Sequence, residues 1–375
     1  MFDMAGKLKI MTVVGTRPEI IRLSSTMKLL DRHTVQTVVH TGQNYDYELN
    51  EIFFKDLGLR KPDEFLNVGT ASLGSTLGNV LTGIERAISS REPDAFVVLG
   101  DTNSSVSSII AKRMHIPVFH LEAGNRSFDE NVPEETNRKI VDHIADYNLV
   151  YTEHARRNLL SEGIHPSRIL LTGSPMNEVI LQHRQEINDS DILLRQGLEP
   201  NGYFLVSLHR EDNVDRPERL TAALEGLQQL RRIYGLPVLV STHPRTRIRL
   251  KNISPVLQEG LIFHAPFGFH DYIRLQLSSK LVLSDSGTIS EESSILGFKA
   301  VTLRDFIERP EALDAGILIT AGVNPDNIVS SVAYALEQEP ATVPNEYAIT
   351  DTSRRVTSFI LGTVHSHRRR TGLLS

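Results

Sequence analysis

Polar clusters stand where apolar runs of this chain stop, and their residue types are those of acid/base chemistry and phosphate binding. Asp101 follows Phe96-Val97-Val98-Leu99-Gly100, Glu122 ends the run Val118–Leu121 beside His120, and Glu134 follows Pro133 at the start of a helical pattern. In an open parallel α/β sheet such strand ends converge on one crevice, so carboxylates far apart in sequence can surround one small molecule. Each has a plainer role as well. Asp101 suits a helix N-cap, and negative charge is favoured at Glu134 by the helix dipole. Glu122, followed by Ala123-Gly124, is expected half-buried, where desolvation lifts a carboxylate towards neutrality and makes it a usable acid or base.

Cationic and small hydroxyl residues occupy other strand ends. Arg17, in Gly15-Thr16-Arg17-Pro18-Glu19, is a guanidinium able to grip a diphosphate or to form a structural salt bridge. His209-Arg210 and His243-Pro244-Arg245 close two successive strands, a positive wall for which phosphate is the simplest ligand; a lone satisfied histidine is the alternative at His209. Ser286-Gly287-Thr288 turns from a strand into a helix, where free N–H groups and the helix dipole bind phosphate, or where an ordinary cap would sit. Glu292 lies on the first turns of that helix, placed to accept both ribose hydroxyls or to remain an exposed helix glutamate. A nucleotide held by one half of the chain, with carboxylates on the other, points to chemistry on the sugar of a nucleotide sugar. A glycosyl transfer needs at most one base, whereas inverting a ring carbon exchanges protons on both faces and needs more than one acid/base group.

The elements that carry these residues follow a doubly wound pattern. Leu8–Val14, Thr34–His40, Ala95–Leu99, Val118–Leu121, Tyr147–Tyr151 and Ile169–Thr172 read as buried parallel strands alternating with helices. The pattern pauses over a polar stretch, which places a linker near residues 178 to 200. It then resumes with strands at Tyr203–Ser207, Val238–Ser241, Leu261–Phe263, Lys280–Ser284 and Ala300–Leu303, and helices at Pro217–Ile233 and Ser286–Leu296. Two Rossmann-like α/β domains facing a cleft are expected, 1–178 and 200–352, with a helix over 353–375 packing back on the first.

Composition narrows the class. With 375 residues the chain has room for about two domains. A net charge of −6 argues against nucleic acid as the main partner, the run Arg368-Arg369-Arg370 notwithstanding. No apolar stretch nears the roughly 20 residues that cross a bilayer, and the first residues lack a signal-peptide pattern, so a cytoplasmic protein without a membrane partner is expected. Zero cysteines exclude disulfides, thiol catalysis and thiolate metal sites, and the 14 histidines show no close ligand spacing, so no metal is expected. Gly-x-Gly-x-x-Gly and a Walker lysine are both absent after the first strand, which removes support for a nicotinamide cofactor.

Val14–Glu19, Leu99–Thr102, Leu121–Gly124, Pro133-Glu134-Glu135-Thr136-Asn137-Arg138, His209-Arg210, Ser284–Thr288 and Glu308-Arg309-Pro310-Glu311 together resemble the non-hydrolysing UDP-N-acetylglucosamine 2-epimerases, over nearly the whole chain and in the family's motif order. The resemblance implies the two-domain glycosyltransferase-B fold, a homodimer, a UDP-sugar substrate and no cofactor. By motif it makes Asp101, Glu122 and Glu134 the acid/base carboxylates and His209 an active-site residue. Arg17, Arg210, Ser286, Gly287 and Thr288 would hold the diphosphate side, with Glu292 on the ribose. It further implies anti elimination of UDP to a glycal and syn re-addition with the proton on the other face. The segments His40–Asn50, Ala123–Asp129, Ser241–Arg245 and Phe267–Tyr272 are similar to the branch that makes UDP-N-acetyl-L-fucosamine for capsule or O-antigen synthesis. The implied substrate is then UDP-2-acetamido-2,6-dideoxy-L-talose, or UDP-N-acetylglucosamine. A hydrolysing epimerase, a glycosyltransferase of the same fold and a non-catalytic UDP-sugar sensor are the competing readings.

Overall fold

The computed structural model describes residues 6–42, 47–69, 72–129, 132–339 and 341–371, and the chain divides into two compact units. Unit 1 comprises residues 1–181 and 348–375, and unit 2 residues 182–347. Unit 1 holds β1 (Lys9–Val14), β2 (Val35–His40), β3 (Glu64–Phe65), β4 (Ala95–Leu99), β5 (Val118–Leu121), β6 (Tyr147–Val150) and β7 (Ile169–Leu171). These form one parallel sheet in the order β3-β2-β1-β4-β5-β6-β7. Unit 2 holds β8 (Phe204–Leu208), β9 (Val238–Thr242), β10 (Leu261–His264), β11 (Leu281–Ser284), β12 (Ala300–Thr302) and β13 (Leu318–Thr320), ordered β10-β9-β8-β11-β12-β13 and again all parallel.

Strands without polar alternation form here because both sheet faces are covered. Successive residues of a strand point to opposite faces. On β8, Phe204, Val206 and Leu208 enter one core with Leu224 and Leu227, while Leu205 enters another with Leu239, Leu275 and Val282. In unit 1, Met11, Val13, Phe96 and Val98 pack against Ile84 and Ile88 of helix Leu73–Arg91. Each such fully buried side chain contributes about 1.5–3 kcal/mol. Helix Thr352–Thr371 belongs to unit 1, where Phe359 meets the Tyr147 ring edge-on at 5.5 Å and Ser353 N donates to Glu178 Oε2 at 2.8 Å.

One expectation is corrected. The boundary between the units, after Leu181, falls within residues 178 to 200, but the stretch is not a bare linker: it forms helices Arg184–Asp189 and Ile192–Gln196 of unit 2, where Ile192 is a core residue. Helix Ile289–Leu296 begins directly after the Ser286-Gly287-Thr288 turn, in the strand, turn and helix order that the residues predict. Residues Gln43–Asp46 of the segment after His40 lie outside the described residues. No helix among the described residues is long and apolar enough to cross a membrane.

Candidate active site

In both sheets the strand order reverses direction beside the first strand, between β1 and β4 and between β8 and β11. Ligands of such sheets bind at this switch point, outside the carboxyl ends of the strands. The clusters singled out from sequence sit there. In unit 1, Gly15–Glu19 follows β1, Gly100-Asp101 follows β4 and Glu122–Gly124 follows β5, on three neighbouring strands. In unit 2, His209-Arg210 follows β8 and Asp285–Thr288 follows β11.

The carboxylates of unit 1 are held rather than loose. Asp101 forms an ion pair with Arg138, and Asn137 Nδ2 donates to the Asp101 carbonyl at 2.9 Å. It is not the cap of the next helix: Thr102 takes that role, its Oγ1 accepting from Ser104 N at 3.1 Å. Glu122, 4% exposed and in the left-handed backbone region at φ 61°, pairs with the buried Arg22. The half-buried carboxylate expected there is more deeply buried, and an ion pair accompanies it. Glu134 lies half-buried on the first turn of helix Pro133–Ile144, and its neighbour Glu135 accepts from Ser127 N at 3.0 Å and Ser127 Oγ at 3.1 Å. Arg17 is half-buried, with its guanidinium 5.7 Å from the centre of the Phe53 ring.

The carboxyl that burial lifts towards neutrality is Glu19, at about 7, although its hydrogen bonds act the other way. Glu19 Oε2 accepts from Gly15 N at 2.6 Å and Thr16 N at 2.8 Å, and Oε1 accepts from Thr102 Oγ1 at 2.5 Å. One buried side chain thus ties the β1 loop to the β4 loop. Sequence reasoning passed over it, although a threonine followed three residues later by glutamate is a capping-box signal. His40, buried against Phe65 with ring centres 4.5 Å apart, is pushed down to about 4 by burial.

A second network lies beneath the β5 loop. Asp142, fully buried on helix Pro133–Ile144, accepts from Gly124 N at 3.2 Å and from Arg126 Nη1 at 2.7 Å, and lies 2.9 Å from His120 Nδ1. The other His120 nitrogen, Nε2, lies 2.8 Å from the Gly100 carbonyl. Burial works to raise the Asp142 carboxyl, but His120 and Arg126 outweigh it and hold the group below the usual carboxylate range. Gly124 is obligatory: its φ is +81°, and a β-carbon there would stand 2.4 Å from the Ala155 carbonyl oxygen.

Unit 2 repeats the device with Asp285, also fully buried, which accepts from His209 N at 3.0 Å and Arg210 N at 2.9 Å and lies 3.1 Å from His209 Nδ1. Burial opposes its charge, yet His209 and the backbone donors keep the carboxyl below its ordinary range. Ser286 Oγ and Thr288 Oγ1 are 2.9 Å apart, both half-buried at the turn. A β-carbon on Gly287 would lie 2.7 Å from Arg309 Nη1 and 3.6 Å from Arg210 Nη2, so hydrogen at this position leaves two guanidinium groups beside bare backbone. Arg210 lies 3.5 Å from Glu308, which also pairs with Arg304. Glu292 is buried rather than exposed, accepting from Gln276 Nε2 at 2.6 Å. His243 caps helix Pro244–Leu250 through Arg245 N at 3.2 Å, with its ring 6.1 Å from that of His209. The positive wall is less charged than expected, because Arg245 pairs with Glu211. Among the described residues no three histidines or carboxylates are grouped to hold a metal ion.

Sheets wound in this order, taken twice in one chain, are the glycosyltransferase-B fold, and the polar strand ends place the chain among enzymes of that fold. The family model described as UDP-N-acetylglucosamine 2-epimerase matches residues 28–361, and the chain belongs to that family of isomerases. It is similar to the solved UDP-N-acetylglucosamine 2-epimerase of Rickettsia bellii, with 42% identity, a TM-score of 0.90, and coverage of 97% of this chain and 98% of that one. The Methanocaldococcus jannaschii UDP-GlcNAc 2-epimerase, solved in complex with UDP-GlcNAc and UDP, is 34% identical with a TM-score of 0.90, over 95% and 100% of the two chains. The UDP-2,3-diacetamido-2,3-dideoxy-D-glucuronate 2-epimerase of Pseudomonas aeruginosa is 35% identical over 334 residues, 88% of this chain and 92% of that protein.

Proposed function

We propose that the chain inverts carbon 2 of a UDP-2-acetamido sugar without releasing the sugar, with UDP-2-acetamido-2,6-dideoxy-L-talose ahead of UDP-N-acetylglucosamine as substrate. The observation that supports this reading is twofold: in unit 1, Asp101 and Glu122 follow neighbouring strands, with Glu134 on the helix whose Arg138 pairs with Asp101, and in unit 2, taken by itself, Arg210 and Arg309 stand beside Gly287 of the Ser286–Thr288 turn. Carbon 2 of an intact sugar is barely acidic, so departure of UDP from carbon 1 must run ahead of proton removal. Cations and backbone at the diphosphate stabilise the leaving group, and carboxylates suffice at the sugar. Breaking the C1–O bond while carbon 2 loses its proton gives a glycal and UDP. Re-addition of both, with the proton on the opposite face, gives the epimer. In this reading Arg17, Arg210, His243, Ser286, Gly287 and Thr288 bind the UDP side, Glu292 supports the ribose end and His209 serves the reacting centre. The diacetamido-sugar specificity of the Pseudomonas relative supports a family that accepts modified acetamido sugars.

In this reading the working protein is a cytoplasmic homodimer that supplies surface polysaccharide synthesis. Proton NMR in heavy water tests the chemistry, with each UDP sugar supplied separately. Deuterium at carbon 2 of both epimers, UDP still attached, is expected. Free sugar plus UDP would indicate hydrolysis, and no exchange with either compound would refute the reading. Asp101→Asn, Glu122→Gln and Glu134→Gln should each keep UDP affinity and lose turnover; unchanged turnover in all three would overturn the roles given to them.

A further inference from the structure

The face of helix Pro133–Ile144 that meets the sheet carries Glu135, Arg138 and Asp142, spaced by three and four residues and therefore stacked on one side of the helix. All three are buried. Glu135 holds Ser127 of the loop after β5 and Arg138 pairs with Asp101 of the loop after β4, while Asp142 reaches the same two loops, one directly and one through His120. It holds Gly124 N, two residues after Glu122, and through His120 it faces the carbonyl of Gly100, the residue before Asp101. The loops after β4 and β5 each contain a glycine with positive φ, Gly100 at 70° and Gly124 at 81°, and Glu122 itself sits at 61°. Segments with that backbone freedom keep one geometry only where the surroundings impose it.

We propose that Asp142, acting through His120 and Gly124, is a positioning residue for the 2-epimerase reaction, a clamp that fixes Asp101 and Glu122 relative to one another. The proposal rests on the functional reading above for the roles of those two carboxylates. Asp142 and His120 are both fully buried, so the clamp touches the loops and not the substrate. An ion pair serving stability alone would need only Arg126; the additional contacts run to the two loops that carry the proposed acid/base groups. Two carboxylates that must act on opposite faces of one carbon depend on their separation, and a 1 Å misplacement can cost about 100-fold in rate.

The test uses the full chain with Asp142→Asn and His120→Gln. The second variant leaves the Asp142–Arg126 pair in place, so it decides the matter if the first does not fold. Turnover on the accepted UDP sugar, calorimetric UDP affinity and amide hydrogen exchange of the segments 99–102 and 121–126 are measured. The expected result is a kcat about 10- to 100-fold lower, with KM and UDP affinity within about two-fold of wild type, the signature of lost transition-state geometry. Exchange in both segments accelerates in both variants. A purely structural role would instead lower the active fraction and the melting temperature while the molecules still folded kept the wild-type kcat. Wild-type turnover and exchange in the folded His120→Gln variant would overturn the clamp. If the wild-type chain epimerises neither sugar, the functional reading fails on its own, and the exchange measurement still decides whether the clamp exists.

Discussion

Replacing Gly124 with alanine, beside the same change at Gly100, separates two costs that usually arrive together. Both glycines have left-handed φ, +81° and +70°, and placing an L-side chain there costs about 1–2 kcal/mol. At Gly100 nothing lies within 4 Å of the added carbon, so that is the whole cost. At Gly124 the added carbon would stand 2.4 Å from the Ala155 carbonyl oxygen, 2.9 Å from its carbon and 2.9 Å from Leu159 Cγ. Ala155 and Leu159 lie on helix Glu153–Ser161, whose backbone cannot yield as a side-chain tip can. Overpacking of this kind adds about 1–3 kcal/mol. Gly124→Ala should therefore lower stability by about 2–5 kcal/mol and Gly100→Ala by about 1–2. Differential scanning calorimetry reads the difference as a melting point about 2–12 °C lower for Gly124→Ala, using about 2–4 °C per kcal/mol for a unit of this size. Coincident melting points would refute the claim that the β5 loop is pressed against that helix.

Glu19 gives a prediction in pH. Its folded pKa is raised from 4.5 to about 7, so between those values the folded chain binds the proton more tightly than the unfolded chain. Stability should fall as pH rises through that window, by on the order of 3 kcal/mol. Glu19→Gln, whose amide can still accept from Gly15 and Thr16 and donate to Thr102, should lose that slope; parallel urea-midpoint profiles for the two proteins from pH 5 to 8 would contradict it. Gly287→Ala should weaken UDP binding about ten-fold, roughly 1.4 kcal/mol, by displacing Arg309 with little effect on melting. Unchanged affinity by calorimetry would remove Gly287 from the diphosphate turn.

The alternation of buried strands and helices was legible because parallel strands covered on both faces need continuous apolar runs, and β4 and β5 have the bounds read from sequence. The strands missed, Glu64–Phe65 and Leu318–Thr320, are two and three residues long, lie at sheet edges and are incompletely buried, so they carry almost no pattern. The candidate residues at strand ends were legible for the same reason the strands were. Their partners were not. Glu122 meets Arg22 across 100 positions of sequence, and His209 meets Asp285 across 76. Single-chain periodicity does not report such pairings. Asp142 left one trace, an acid between Val141 and the end of an amphipathic helix, on the face that its apolar neighbours bury.

Unit 1 is interrupted: the chain leaves it after Leu181 and returns at Ala348, where Asn177 Nδ2 donates to the Ala348 carbonyl at 3.0 Å. Val356 and Ile360, both fully buried, sit on the helix that covers helix Arg17–His33. During synthesis the packing of unit 1 is therefore complete only once this helix is made, about 10–40 s after residue 181 at ordinary elongation rates. Unit 2 has all of its strands in hand before that. Until then the surface of helix Arg17–His33 that this last helix covers stays open, so a cut made anywhere in unit 2 would also separate unit 1 from a part of its own packing.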